Sequence, residues 1–289
     1  MALPNDRDDE HVIEAIGRSR IVIRGGKVVE VGQPCIQDCP LARRFAIPVK
    51  ELKPEAIRTN IEGRIAGFGM CTPARELEEE KEFVVFGASE LLATGIRCRS
   101  IDCAVLACDG AGTVIVATPA LIQGIGGRMS GLVRTSPIPE VIQGIIARGG
   151  SVLDPAHARI DQYGGVALAA AQGFQSIAVT VADPAESARI RADFPRTLIF
   201  GVHTTGLSRA QAEQLVQSAD LVTACASRHV REAARGIALV QAGTAIPIYA
   251  LTARGKDLII TQLQVARLPI LVKVGVLPDQ EKGAPSPLI

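Results

Sequence analysis

The chain has 289 residues, a net charge of +1, and 47% hydrophobic and 21% charged residues. That balance supports a sizeable core and argues against nucleic-acid or membrane-surface binding through bulk charge. With no Trp, two Tyr and seven Phe, base-stacking platforms are not expected either.

No apolar run approaches the roughly 20 residues of a membrane helix. The polar, acidic start MALPNDRDDEHVIEAI is unlike a signal peptide. A cytosolic protein without membrane or nucleic-acid partners is therefore expected. Its seven cysteines read as thiols or ligands rather than as a disulfide framework.

The first elements are mixed. EHVIEAIGRSR has the spacing of a short helix. IVIRGGKVVEVG, with Gly25 and Gly26 between two apolar runs, predicts a β-hairpin. QPCIQDCPLARRFAIP reads as a Pro-punctuated loop or short helix, and helical spacing follows Pro54. From Pro73 to about Arg97 charges and apolar residues suggest helix, with the acidic PARELEEEKEF as its first turns. This gives an N-terminal α+β segment, residues 1–97, that carries Cys35, Cys39 and Cys71.

The remainder, residues 98–289, reads as an α/β domain. IDCAVLACDGAGTVIV is an apolar strand that ends at Cys108 and Asp109, passes Gly110 and Gly112, and resumes at Thr113. Further on, SIAVTV, TLIFGV, DLVTACA and IPIYAL are strand candidates separated by helical stretches, two of which open with the caps Asp183 and Ser208. Strand–helix alternation predicts βαβ units on a mainly parallel, doubly wound, three-layer sheet. A TIM-like barrel is the alternative, because the same spacing fits both. DLIITQL and LPILVKVGVL read as closing strands.

In parallel α/β sheets, ligands bind where the strands' C-terminal ends and the following helix N-termini form one rim. Residues predicted there are Cys108 and Asp109; His203, Thr204 and Thr205; and Ser227 and Arg228. Cys108 is the candidate nucleophile or metal ligand, and Asp109 and His203 are candidate acid–base or orienting groups. Gly110, Gly112 and Thr113 would let backbone approach a ligand. GIGGRMSG, with Gly126, Gly127 and Arg128, and the nearby Arg134 form a candidate anion cradle. RTSP, at Arg134 to Pro137, either extends that patch or caps the helix after it.

Cys35 and Cys39 are four apart, and Cys71 lies between turn-forming residues. Three such thiolates would suit an iron–sulfur cluster with one open iron, or a zinc with an open position. Isolated buried thiols are the alternative. His11 reads as a surface residue.

DEHVIEAIGRSRIVIRGGKVVEVG, FGMCTPAR, IDCAVLACDGAGTVIV and QGIGGRMSGLVRTSPIPEVI together resemble the family of methanogenesis marker protein eight, an uncharacterised archaeal family. The resemblance covers nearly the whole chain, and Cys-Asp-Gly-Ala-Gly-Thr is its most specific part. Cys39, Cys71, Cys103, Cys108 and Asp109 match that pattern, whereas Cys35, Cys98 and Cys225 fall outside it. The resemblance implies an association with methane-producing archaea and an anaerobic cytosol, where an oxygen-sensitive cluster or reactive thiol would survive. The expectation is an enzyme or cofactor-maturation factor that binds a small anionic ligand. The competing class is a non-catalytic assembly or regulatory partner of a methanogenesis enzyme, or a homo-oligomer.

Overall fold

The computed structural model describes residues 9–289 apart from 130, 268, 273, 276 and 278–282. Among these residues the chain builds two sheets. Three N-terminal strands, β1 (Glu10–Ala15), β2 (Ser19–Arg24) and β3 (Lys27–Val31), form an antiparallel meander. β2 and β3 make the expected hairpin, with Arg24 opposite Lys27. β1, by contrast, is a strand where the spacing suggested a helix. Its Ile13 and Ala15 are buried, and it pairs with β2 from Glu10↔Arg24 to Ala15↔Ser19.

Helix α1 (Pro54–Phe68) starts on its proline and ends on Gly69, whose left-handed φ of 72° lets its N–H bond to the Ile65 carbonyl. It packs Ile57 and Ile61 beneath the small sheet, against Ile13, Ile21 and Ile23. Helix α2 (Ala88–Arg97) begins only after a long irregular stretch. The acidic segment before it is not helical, because its charges are used elsewhere: Arg75 is drawn into the interior, Glu76 and Glu79 pair with Arg128, and Glu78 pairs with Arg148.

The large sheet comprises β4 (Cys103–Cys108), β5 (Gly112–Val116), β7 (Ser151–Val152), β8 (Ile177–Val181), β9 (Leu198–Gly201), β10 (Leu221–Thr223), β11 (Val240–Ala242) and β12 (Ile248–Ala250). Its order is β11-β12-β10-β9-β8-β4-β5-β7. The intervening β6 (Leu132–Arg134) instead joins the small sheet beside β1. β4, β8, β9 and β10 are mutually parallel, whereas β5 and β7 on one side and β12 and β11 on the other are antiparallel additions. The expected mainly parallel sheet is thus a mixed one, and it is open rather than a barrel. The departure begins where β4 turns straight back into β5 through Asp109–Ala111, a hairpin that no βαβ crossover can occupy.

Helices cover both faces of this sheet. On one lie α2, α3 (Pro119–Ile122), α4 (Pro139–Ala147) and α9 (Ala253–Val265), over Ala104, Leu106 and Phe200. On the other lie α5 (Gln162–Ala171), α6 (Pro184–Asp193), α7 (Arg209–Ser218) and α8 (Arg228–Arg235), over Val105, Val179 and Ile199. Strand residues alternate between the two cores, so Cys103 and Cys108 face opposite sides. Asp183 and Ser208 cap α6 and α7 as their sequence context suggests.

DLIITQL lies within α9 and not in a strand; Gly255, Leu258, Ile259 and Gln262 are buried at helical spacing behind the Thr252 cap. In LPILVKVGVL, positions 268, 273 and 276 lie outside the described residues, and the others form no strand. Among the described residues no helix is long and apolar enough to cross a membrane.

Candidate functional site

The rim of the parallel strands is where the two sheets meet. At the end of β4, Cys108 and Asp109 are both fully buried. Asp109 accepts the Cys71 N–H at 2.6 Å and the Arg75 Nε–H at 3.0 and 3.2 Å on its two oxygens. Arg75 also donates to the Gly124 carbonyl at 2.8 Å, and its side chain is fully buried. This ion pair fastens the loop after α1 to the β4–β5 turn. Burial, reinforced by the Asp109 charge against a partial counter-effect of Arg75, pushes the Cys108 thiol well above the usual range. Cys71 is raised in the same way, by burial and then by Asp109.

Beyond β9, His203 turns toward the small sheet, and its Nε2 lies 3.1 Å from Glu14 Oε2. Arg18 donates to the same oxygen at 2.9 Å and to the Thr205 carbonyl at 2.7 Å. Burial raises Glu14, but hydrogen bonds from His203 and Arg18 outweigh it and leave the carboxyl below its ordinary value. Gly131 makes this approach possible. Its φ is 70°, and a Cβ there would collide with the Glu14 carbonyl and crowd the His203 ring.

Thr204 is buried and donates to the Thr223 carbonyl at 2.7 Å, and Thr205 Oγ1 accepts the Ala226 N–H at 3.2 Å. Ser227 caps α8, and the Arg228 N–H donates to the Ile289 carbonyl at 3.0 Å. Gly126 and Gly127 sit in a wide helical turn, and the Arg128 beside them is held by Glu76 at 2.9 Å and Glu79 at 2.5 Å. The rim residues that face the small sheet thus bond to groups of the chain itself.

The cysteines are distributed differently. Cys35 is exposed, Cys39 is partly buried and Cys71 is buried. Among the described residues no three His, Cys, Asp or Glu side chains converge as a metal site. No such group includes Cys35, Cys39 and Cys71.

One part of the rim stays open. A cleft of about 540 Å³ is lined by Val133, Arg134 and Thr135 of β6 and its continuation, and by Asp154 and His157–Ile160 from the loop before α5. Its size suits a small-molecule site. The β4–β5 turn supports both walls. The Thr113 N–H donates to the Arg159 carbonyl at 3.0 Å, and Thr113 Oγ1 accepts the Asp161 N–H at 2.8 Å while donating to Gln162 at 2.7 Å. Gly112, at φ 70°, lies so close to the Ala158 carbonyl that a Cβ would collide with it. On the other wall, the Gly110 N–H donates to Thr135 Oγ1 at 2.7 Å.

The cleft's ionisable groups are Arg134, paired with Glu10; Arg159, 2.9 Å from Asp161 and 3.8 Å from Asp154; and Asp154 itself, whose Oδ1 lies 3.1 Å from His157 Nδ1. Behind Thr135 stands His11, fully buried although the sequence placed it at the surface. Its Nδ1 is 2.6 Å from Thr135 Oγ1, and its Nε2 is 2.9 Å from Asp9 Oδ1. Asp9 is steadied by the N–H of Gly25 in the β2–β3 turn at 3.0 Å. Thr135 and His11 are 124 positions apart, and no local pattern signals their meeting.

The protein has a mixed α/β fold with helices on both faces of its large sheet, whose strand-end rim is partly covered by the small antiparallel sheet beside a cleft. The chain belongs to the family described as "Uncharacterized protein conserved in archaea (DUF2099)", whose model matches residues 11–264. It is 41% identical over 284 residues to the uncharacterized protein MJ0054 of Methanocaldococcus jannaschii, covering 97% of this chain and all of that protein. No solved structure matches the chain.

Proposed function

We propose that the protein binds a small anionic ligand, a carboxylate or phosphate compound, in the cleft between β6 and the loop before α5, as an enzyme or cofactor-maturation factor. The observation that supports this reading is that Arg134, from β6, and Arg159, from the loop before α5, line one cleft at the β4–β5 turn. Both are more than half exposed in their present ion pairs. Their partners Glu10 and Asp161 are only 13% and 26% exposed and keep other donors, Arg24 on Glu10 and the Gly164 N–H on Asp161, so each arginine can turn to an incoming oxyanion, which a guanidinium binds in bidentate fashion. The resemblance to methanogenesis marker protein eight supports a role in the cytosol of a methane-producing archaeon.

The test is calorimetric titration of the full chain with inorganic phosphate and with succinate. Binding that is lost in the R134Q/R159Q double variant supports the proposal; equal binding by the variant refutes it. A second reading, a non-catalytic partner or homo-oligomer, is favoured by Leu271, Val272 and Val274, which are 92%, 74% and 97% exposed. Light scattering would show it as a mass above the monomer that falls in L271K/V274K.

A further inference from the structure

We infer that Asp9, His11 and Thr135 form a nucleophile relay that makes the cleft a site of acyl transfer, with Thr135 as nucleophile toward a small anionic ester or thioester. The inference rests on the reading of the cleft as an anion site, and it adds the reaction carried out there.

The Asp9 carboxylate can only accept, so His11 Nε2, 2.9 Å away, carries its ring hydrogen toward Asp9. In the neutral ring Nδ1 is then the acceptor, and it lies 2.6 Å from Thr135 Oγ1. Oγ1 receives the Gly110 N–H at 2.7 Å, and its own proton has two acceptors in reach, Nδ1 and, at 3.4 Å, the Ser136 carbonyl; the relay uses the shorter contact. This is the arrangement a hydroxyl needs to become a nucleophile: a base within hydrogen-bond reach, oriented by a carboxylate. His11 is fully buried and Thr135 is only 5% exposed, so both are shielded from bulk water, and the threonine meets the cleft only as part of its lining.

The three groups come from three places: the chain just before β1, β1 itself, and the residue after β6. Two of them are held by a further contact, Asp9 by Gly25 and Thr135 by Gly110. Arg134, adjacent to Thr135 in the chain, and Arg159 would hold the anionic end of the substrate while its acyl carbon faces Oγ1.

The step balances as follows. Thr135 Oγ1 bonds to the acyl carbon as its proton passes to His11 Nδ1, and Asp9 stabilises the imidazolium. The bond to the leaving oxygen or sulfur breaks, and that atom takes the proton from Nδ1. Water, giving its proton to Nδ1 in turn, releases a carboxylic acid and restores the Thr135 hydroxyl.

The test uses p-nitrophenyl acetate, a neutral ester that needs no anion site, with the full-length protein. Release of p-nitrophenolate should accompany acetylation of Thr135, located by peptide mass mapping. T135S should keep the reaction and T135V abolish it. Loss of a general base typically costs about 10²–10⁴-fold, so H11Q should acylate at least about a hundredfold more slowly. Because His11 is buried, D9N provides a milder variant; Asp9 is 42% exposed, and its loss should slow acylation at least about tenfold if the relay holds.

A wild-type chain with no acetyl group on Thr135 would overturn the inference, as would acetylation at one rate in wild type, D9N and folded H11Q. Failure of the cleft reading is distinguishable. A chain that acylates Thr135 but ignores phosphate and succinate contradicts only the anion site. One that binds those anions through Arg134 and Arg159 but never acylates contradicts only the relay.

Discussion

Replacing Asp109 by Asn tests how the rim is held. The carboxylate is fully buried, accepts the Cys71 N–H at 2.6 Å and contacts Arg75 Nε through both oxygens. The amide keeps the shape and one acceptor but leaves the Arg75 guanidinium, itself fully buried, without a counter-charge. Breaking a buried pair from one side costs about 3–5 kcal/mol. At roughly 2–4 °C per kcal/mol for a chain of this size, the melting temperature should fall by about 6–20 °C. Differential scanning calorimetry of the wild type, D109N and D109N/R75M measures it. The double variant should recover much of the loss, because removing both charges leaves no orphan ion. A D109N protein that melts within about 2 °C of wild type would refute the reading of this pair as the clasp between the loop after α1 and the β4–β5 turn.

Other consequences follow from the same geometry. Glu14 is held below its ordinary pKa, so its contribution to stability is present above the unfolded carboxyl value of about 4.3 and is lost as pH falls through the folded value. Urea titrations between neutral and acid pH should therefore show a smaller acid loss for E14Q than for wild type, and parallel curves would contradict the Glu14–His203–Arg18 cluster. G112A should destabilise well beyond G149A: both positions have a left-handed φ costing an alanine roughly 1–2 kcal/mol, but only Gly112 adds a collision, worth a further 1–3 kcal/mol or so, with the Ala158 carbonyl. Equal losses would show that the turn does not press on that loop. In native protein, iodoacetamide should modify the exposed Cys35 and Cys98 quickly and leave Cys71, Cys103 and Cys108 unmodified. Fast alkylation of Cys108 would show that its thiol is neither buried nor raised.

Local patterns were legible in the sequence where one element decides its own conformation. The Gly25–Gly26 hairpin, the Pro54 helix start and the caps Asp183 and Ser208 are all visible in the fold. β1 misled because His11, Ile13 and Ala15 alternate over too few residues to separate period 2 from helical spacing; pairing with β2 and β6 decides it. α9 misled in the other direction: Leu258-Ile259-Ile260 looks like a strand core until the buried Gly255 and Gln262 show the helical face. The PARELEEEKEF stretch has helical composition, yet burying Arg75 against Asp109 and spreading the glutamates over Arg128 and Arg148 overrides it. The rim of the parallel strands followed from their apolar character, but the sheet that covers part of it did not. β6 is three residues long and joins the N-terminal meander from the middle of the chain. For the same reason Arg75, Glu14, His11 and Thr135 carried no signal; each acquires its role from a partner far away in the chain.

The central claim is that an anion sits between Arg134 and Arg159. Anomalous scattering at the selenium edge from a crystal of the full chain soaked in selenate tests it most directly. The expected result is a selenium peak within hydrogen-bond reach of both guanidinium groups, beside Thr135. A peak instead at Gly126–Arg128 or at Thr204–Thr205, with the cleft empty, would contradict it.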